Sequence, residues 1–190
     1  MKIPKRIQRK LLKLLISLLV VAIGALMSKL SPPAEVGPLP APGYYKIASF
    51  EDGDTISVDM NGITERVRMI GIDTPETQDP RKPVQCFGKA ASQFTQKLIG
   101  NNVVRLESDA LSGNRDRYNR LLRYVYLPDG TLVQAEILRL GYGFAYTSFP
   151  FTKSDEFVAL QKEAREQNRG LWSSCAPEAN QYGGFTSNPE

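Results

Sequence analysis

Two acidic corners carry the residues best suited to chemistry. One is Asp52-Gly53-Asp54-Thr55 and the other Asp73-Thr74-Pro75-Glu76, about 20 residues on, with Arg66 and Arg68 between them. Carboxylates and carbonyls are hard oxygen donors for a hard cation, a further carboxylate can accept a proton, and guanidinium forks match phosphate oxygens. An arginine-rich run, Asn114 to Arg123 (NRDRYNRLLR), lies downstream. Taken singly, each stretch is an ordinary turn or a solvated edge. Together they offer acids for a metal, a carboxylate for a base and arginines for a phosphate.

The elements that must position these groups can be read from periodicity and turn signals. Tyr45–Phe50 and Thr55–Met60 read as strands, the second alternating apolar and polar residues. Asn61-Gly62 is a hairpin turn, and Ile63–Ile72 is its partner strand, with a bulge or bend expected near Gly71. The hairpin return brings both acidic corners and one arginine to a single rim. Residues 77–87 form a loop, followed by a helix over Gly88–Ile99 and a strand over Val103–Glu107. A polar loop then leads into a strand over Leu121–Leu127. Helices are expected over Val133–Leu140 and from Ser154, as N-cap, to about Gln167, and Trp172 is expected to close the core. Five short strands with three helices predict an α+β domain, an oligonucleotide-binding (OB-fold) five-stranded β-barrel with three flanking α-helices.

Composition bounds the rest. Positions 1–30 hold seven Lys or Arg and no acid, around an apolar run from Leu14 to Met27. This pattern predicts an N-terminal hydrophobic helix that is either a cleaved secretory signal or a membrane anchor, with the remainder exported. Residues 31–43 hold five prolines and read as a semi-rigid linker. A single folded domain follows at 44–175, and 176–190 reads as a flexible tail. The chain carries net charge +4, with 24 Lys+Arg against 20 Asp+Glu. Without the seven N-terminal bases the balance is 17 against 20, or −3, so the basic character belongs to the export segment and not to a general affinity for nucleic acid. Two cysteines and no histidine exclude a four-ligand zinc site. Cys86 and Cys175 are either two unrelated thiols or, in an exported protein, one disulfide tying the segment before the first helix to that after the last.

The blocks DGDT, VRMIGIDTPET, FGKAASQFTQKL, DRYNRLLRYVY, LVQAEILRLGYGFAY and NRGLW, in this order over roughly residues 45–173, resemble the staphylococcal (micrococcal) nuclease or thermonuclease family. The resemblance implies an OB-fold barrel with three helices and calcium-dependent hydrolysis of DNA and RNA, leaving 3′-phosphates. It implies that Asp54, Asp73 and the Thr74 carbonyl hold Ca2+, with Asp52 behind them. Glu76 would be the general base, and Arg68 and Arg120 would grip the phosphate. Tyr118, Tyr146, Arg117 and Lys82 match nucleotide-contacting positions, although packing against the barrel explains the two tyrosines equally well. The residue chemistry agrees independently: a phosphodiester with no histidine available calls for a metal, a carboxylate base and guanidinium donors.

Three departures stand out. Ser148 replaces a tyrosine of the family's prototype, Asn119 replaces the glycine before the catalytic arginine, and Leu121 replaces the glycine after it. Asn tolerates the left-handed conformation that a glycine there would serve. None removes a proposed catalytic group. The alternative is a catalytically silent barrel that only binds nucleic acid or protein; the intact acid and arginine set separates the two. No protein partner is implied, and a membrane is a partner only if the N-terminal helix stays uncleaved.

Overall fold

A computed structural model describes residues 43–77, 83–180 and 184–189, with the isolated positions 4 and 13. Apart from positions 4, 13 and 43, the expected N-terminal helix and the proline-rich linker lie outside the described residues, as does Lys82.

Strands β1 (Tyr44–Asp52), β2 (Thr55–Met60), β3 (Ile63–Met69), β5 (Val103–Glu107) and β6 (Leu121–Tyr126) close a barrel in the order β1-β2-β3-β6-β5. Every neighbouring pair is antiparallel except β3 and β6, which run parallel with Val67 opposite Leu121 and Arg68 opposite Leu122. This is the partly crossed five-strand closure of an OB barrel. The β2–β3 turn is Asn61-Gly62, both at positive φ (59° and 87°), as a type I′ hairpin requires. The long third strand expected to Ile72 ends instead at Met69. Gly71 turns the chain at φ 75°, and β4 (Ile72–Asp73) then pairs with β7 (Phe144–Ala145) outside the barrel. A side chain at Gly71 would lie 2.6 Å from the Phe151 ring, so both its angle and its size are specified.

Three helices flank the barrel, α1 (Gly88–Ile99), α2 (Val133–Arg139) and α3 (Ser154–Glu166), and a single turn, α4 (Leu171–Ser174), follows them. Ser154 does not cap α3 as expected. It is the first helical residue, and the Lys153 carbonyl accepts the Phe157 amide. Ile56, Val67, Met69, Val125, Ile137 and Phe157 are buried in one continuous core between barrel and helices. Trp172 is not in that core. It packs in a satellite cluster, edge-on to Phe144 and Phe185 with centroids 5.5 and 5.0 Å away.

Described residues of the segment expected as a flexible tail pair with each other and contact the loop before α1. β8 (Glu178–Ala179) pairs with β9 (Phe185–Thr186), and Asn188 and Ser187 hydrogen-bond the backbone of Cys86. The apolar Phe185 ring on Trp172 is the physical reason, because it gives the tail a face to bury. Cys86 and Cys175 form a disulfide across 89 residues, fastening the loop before α1 to the end of α4.

A buried carboxylate ties three parts of the barrel rim together. Asp109, just after β5, accepts hydrogen bonds from the amides of Leu111 and Ser112, the Tyr124 hydroxyl on β6, and both the amide and hydroxyl of Thr152 ahead of α3. Burial works against its ionisation, but the Thr152 and Tyr124 hydrogen bonds outweigh burial and hold its carboxyl below the ordinary carboxylate range.

Candidate active site

Strand register explains how distant residues meet. Antiparallel pairing sets Thr55 opposite Arg68, and the Met69 amide donates to the Asp54 carbonyl at 2.9 Å. Arg68 therefore emerges beside the first acidic corner. Parallel pairing of β3 with β6 then places Arg120, immediately before β6, at the same end of the barrel. Gly53 allows the two acidic corners to touch, since a Cβ there would lie 2.8 Å from Thr74 Oγ1.

Arg68 is the centre of the constellation. Its Nη1 lies 3.1 Å from Asp54 Oδ2 and donates to the Ile72 carbonyl at 2.8 Å, while its Nη2 donates to Asp73 Oδ1 at 3.0 Å. One guanidinium thus binds both expected metal acids. Asp54 is buried, its Oδ2 accepting the Thr74 amide at 3.0 Å and its Oδ1 the Thr55 hydroxyl at 2.9 Å. Asp73 is half exposed, the more open of the two acids.

Arg120 joins the same rim through Thr55, whose Oγ1 accepts from its Nη1 at 3.3 Å. Asp116 holds it from the other side. Its Oδ2 accepts Arg120 Nε at 2.7 Å, and its Oδ1 accepts the amides of Arg120 and Tyr118 at 3.0 and 2.9 Å. Burial opposes ionisation of Asp116, and these hydrogen bonds with the Arg120 charge more than offset it, so its carboxyl titrates below the ordinary range. Asn119 adopts φ 64°, the left-handed conformation expected where the family has glycine.

Glu76 stands on a braced backbone. Its amide donates to Gln85 Oε1 at 2.7 Å, its carbonyl accepts the Gln85 amide at 3.0 Å, and its Oε1 accepts the Thr77 amide at 2.9 Å. Thr77 Oγ1 reaches Asp52 Oδ1 at 3.1 Å, linking this segment to the first corner. Burial, with the charges of Asp54 and Glu76 added, pushes the Asp52 carboxyl up to about 7.

Tyr118 is 59% exposed, with the guanidinium carbons of Arg117 and Arg120 at 4.9 and 5.4 Å from its ring centre. Tyr146 is 39% exposed, its amide donating to the Gly71 carbonyl at 2.9 Å, just before β4 and Asp73. Tyr118 is thus mostly exposed, whereas Tyr146 is more than half buried. Arg66 is instead held by Glu51, with which it forms an ion pair.

Sequence reading missed Thr55, Asp116, Thr77 and Gln85. Asp116 sits four residues before Arg120, and that spacing was its only local signal. The others act by meeting residues from 9 to 65 positions away, which no local pattern records.

The donors of Asp54, Asp73 and Thr74 are all oxygen, which suits a hard cation and not a thiophilic one. Thr74 Oγ1 is buried without a hydrogen-bond partner, a further unmet oxygen at this corner. Among the described residues there is no group of three or more His, Cys, Asp or Glu side chains able to hold a metal. The oxygen donors present would fit such a cation as a partial shell.

A closed OB-type barrel with paired acids, a further carboxylate and two convergent arginines defines a hydrolase of the nuclease class. The pattern that describes staphylococcal nuclease homologues matches residues 66–174. The thermonuclease of Staphylococcus hyicus is 35% identical over 170 residues, covering 85% of this chain and 99% of the relative. That of Staphylococcus intermedius is 42% identical over 132 residues, 67% of this chain and 75% of the relative. Endonuclease YncB of Bacillus subtilis is 41% identical over 124 residues, 64% of this chain and 58% of the relative. The chain belongs to the staphylococcal nuclease family.

Proposed function

We propose that this nuclease is a calcium-dependent endonuclease that hydrolyses phosphodiester bonds of DNA and RNA to leave 3′-phosphates. It acts outside the cytoplasm, secreted or tethered by its N-terminal segment. The observation that carries the reading is the single hydrogen-bonded rim in which Arg68 binds Asp54 and Asp73, and Arg120 reaches Asp54 through Thr55. The disulfide supports export, since such bonds persist in oxidising compartments.

Asp54, Asp73 and the Thr74 carbonyl would hold Ca2+, which supplies positive charge against the phosphoryl oxygens when bound. Glu76 accepts a proton from the attacking water as its oxygen bonds to phosphorus. The P–O5′ bond breaks, leaving the phosphate on the 3′ side and a 5′-hydroxyl that takes its proton from solvent. Arg68 and Arg120 donate to the phosphoryl oxygens as negative charge grows there. Tyr118 and Tyr146 offer exposed faces to unpaired bases.

The test is to incubate residues 43–190 with single-stranded DNA in calcium, then in chelator, and to identify the ends produced. Cleavage is expected only in calcium, with 3′-phosphate ends. Glu76→Ser should lower the rate by roughly two to four orders of magnitude, the scale of general-base catalysis. Undiminished cleavage by Glu76→Ser removes the assignment of the base. Tight binding in calcium without hydrolysis makes the domain a binding module instead.

A further inference from the structure

Three aromatic side chains are exposed among the described residues: Tyr118 beside Arg120, Tyr146 in a cleft with Asp73, and Phe149 next to Tyr146. Tyr118 lies against Arg120, and the other two lie on the loop that follows β7, on the Asp73 side. Phe149 is the most exposed at 68%, and its ring centre is 6.0 Å from that of Tyr146. A base stacked on this ring would remove apolar surface from water.

The loop that carries Phe149 is built, not loose. The Tyr146 amide is bonded to Gly71, the Pro150 carbonyl accepts the Ser112 hydroxyl at 3.2 Å, Phe151 is buried in the core, and Thr152 is bound by Asp109. Its neighbours Ser148 and Tyr146 line a cleft of about 80 Å³ with Asp73, and the Phe149 ring adjoins that cleft through Tyr146. Pre-organised aromatic faces beside a polar reaction centre suit unpaired bases, whose π-faces stack without regard to sequence.

We propose that Phe149 is a second base-stacking platform, carrying the nucleotide next to the one on Tyr146 on the Asp73 side of the scissile phosphate. It sets a preference for substrates with an unpaired stretch extending in that direction. The proposal rests on the nuclease reading for its substrate and adds a residue to it.

Binding of fluorescently labelled oligothymidylate is measured by anisotropy in calcium, in the Glu76→Ser background so that the probe survives. Adding Phe149→Ala should weaken binding roughly 10- to 100-fold, the scale of one base–aromatic stack. Phe149→Tyr should restore it. An oligomer made abasic throughout should bind equally well whether or not the Phe149→Ala change is present. In the otherwise wild-type enzyme, Phe149→Ala should raise KM for oligothymidylate while kcat, and KM for a thymidine dinucleotide, stay unchanged. Unaltered oligothymidylate binding, or an equal loss on the abasic oligomer, overturns the platform. Absence of cleavage by the wild-type protein defeats the enzyme reading alone, because the anisotropy comparison still decides the platform.

Discussion

Replacing Asp109 by asparagine keeps the side chain's shape and removes its charge and one acceptor. Five donors converge on this carboxylate, two amides on Oδ1 and the Tyr124 hydroxyl with the Thr152 amide and hydroxyl on Oδ2. Hydroxyls can rotate to accept from the new amide group, but backbone N–H groups cannot. In one side-chain orientation the Thr152 amide loses its acceptor, and in the other the Leu111 and Ser112 amides lose theirs. A buried unsatisfied donor costs about 1–3 kcal/mol, and each surviving bond to the neutral group loses about 1 kcal/mol of charge assistance. In the less costly orientation the total is at least about 3 kcal/mol. At a urea m-value of about 2 kcal/mol/M, the unfolding midpoint of residues 43–190 should fall by at least about 1.5 M with m unchanged.

The difference should also depend on pH. The folded carboxyl titrates below its unfolded value, so its contribution is complete above that value, about 4, and is lost as pH falls towards the folded one. Wild type and variant should therefore converge in stability as the pH drops below about 4. A midpoint shift under about 0.3 M at neutral pH, or a gap that widens in acid, refutes the network as the source of stability.

Asp116→Asn should leave the fold intact but free the Arg120 side chain, lowering kcat/KM roughly 10- to 100-fold, as small misplacements of a catalytic group do. Steady-state kinetics with a matched urea midpoint checks this, and unchanged kcat/KM rejects Asp116 as the residue that aims Arg120. Asn119→Gly should retain activity, because glycine accepts φ 64° freely. Asn119→Val should lose about 1–2 kcal/mol of stability and much of the activity, since a β-branched residue strains at that angle. Equal behaviour of the two variants in melts and assays counts against a left-handed requirement.

Local chemistry made much of this molecule legible. The Asn61-Gly62 turn, the barrel strands and the three larger helices follow from period and punctuation, which depend only on neighbours in the chain. Gly71 announced a break in the third strand because glycine is used where the backbone must take positive φ. The packing of Phe185 was not legible, because this residue is unremarkable until Trp172 and Phe144 are seen beneath it. Trp172 was placed in the wrong cluster for the same reason: a large apolar residue must be buried, but its sequence does not say against what.

The sequence by itself determined the cast of acids and arginines, and the strand order in which they are delivered. Only the tertiary structure decided which of them touch. Arg66 and Arg68 are two residues apart on one strand, yet Glu51 takes the first while Asp54 and Asp73 take the second. Arg120 reaches Thr55 across 65 positions because β3 and β6 run parallel, and Asp116, Thr77 and Gln85 matter only through partners that folding supplies. The reason is physical: a side chain's type fixes what it can bond, whereas the closure of the barrel fixes what lies within bonding distance.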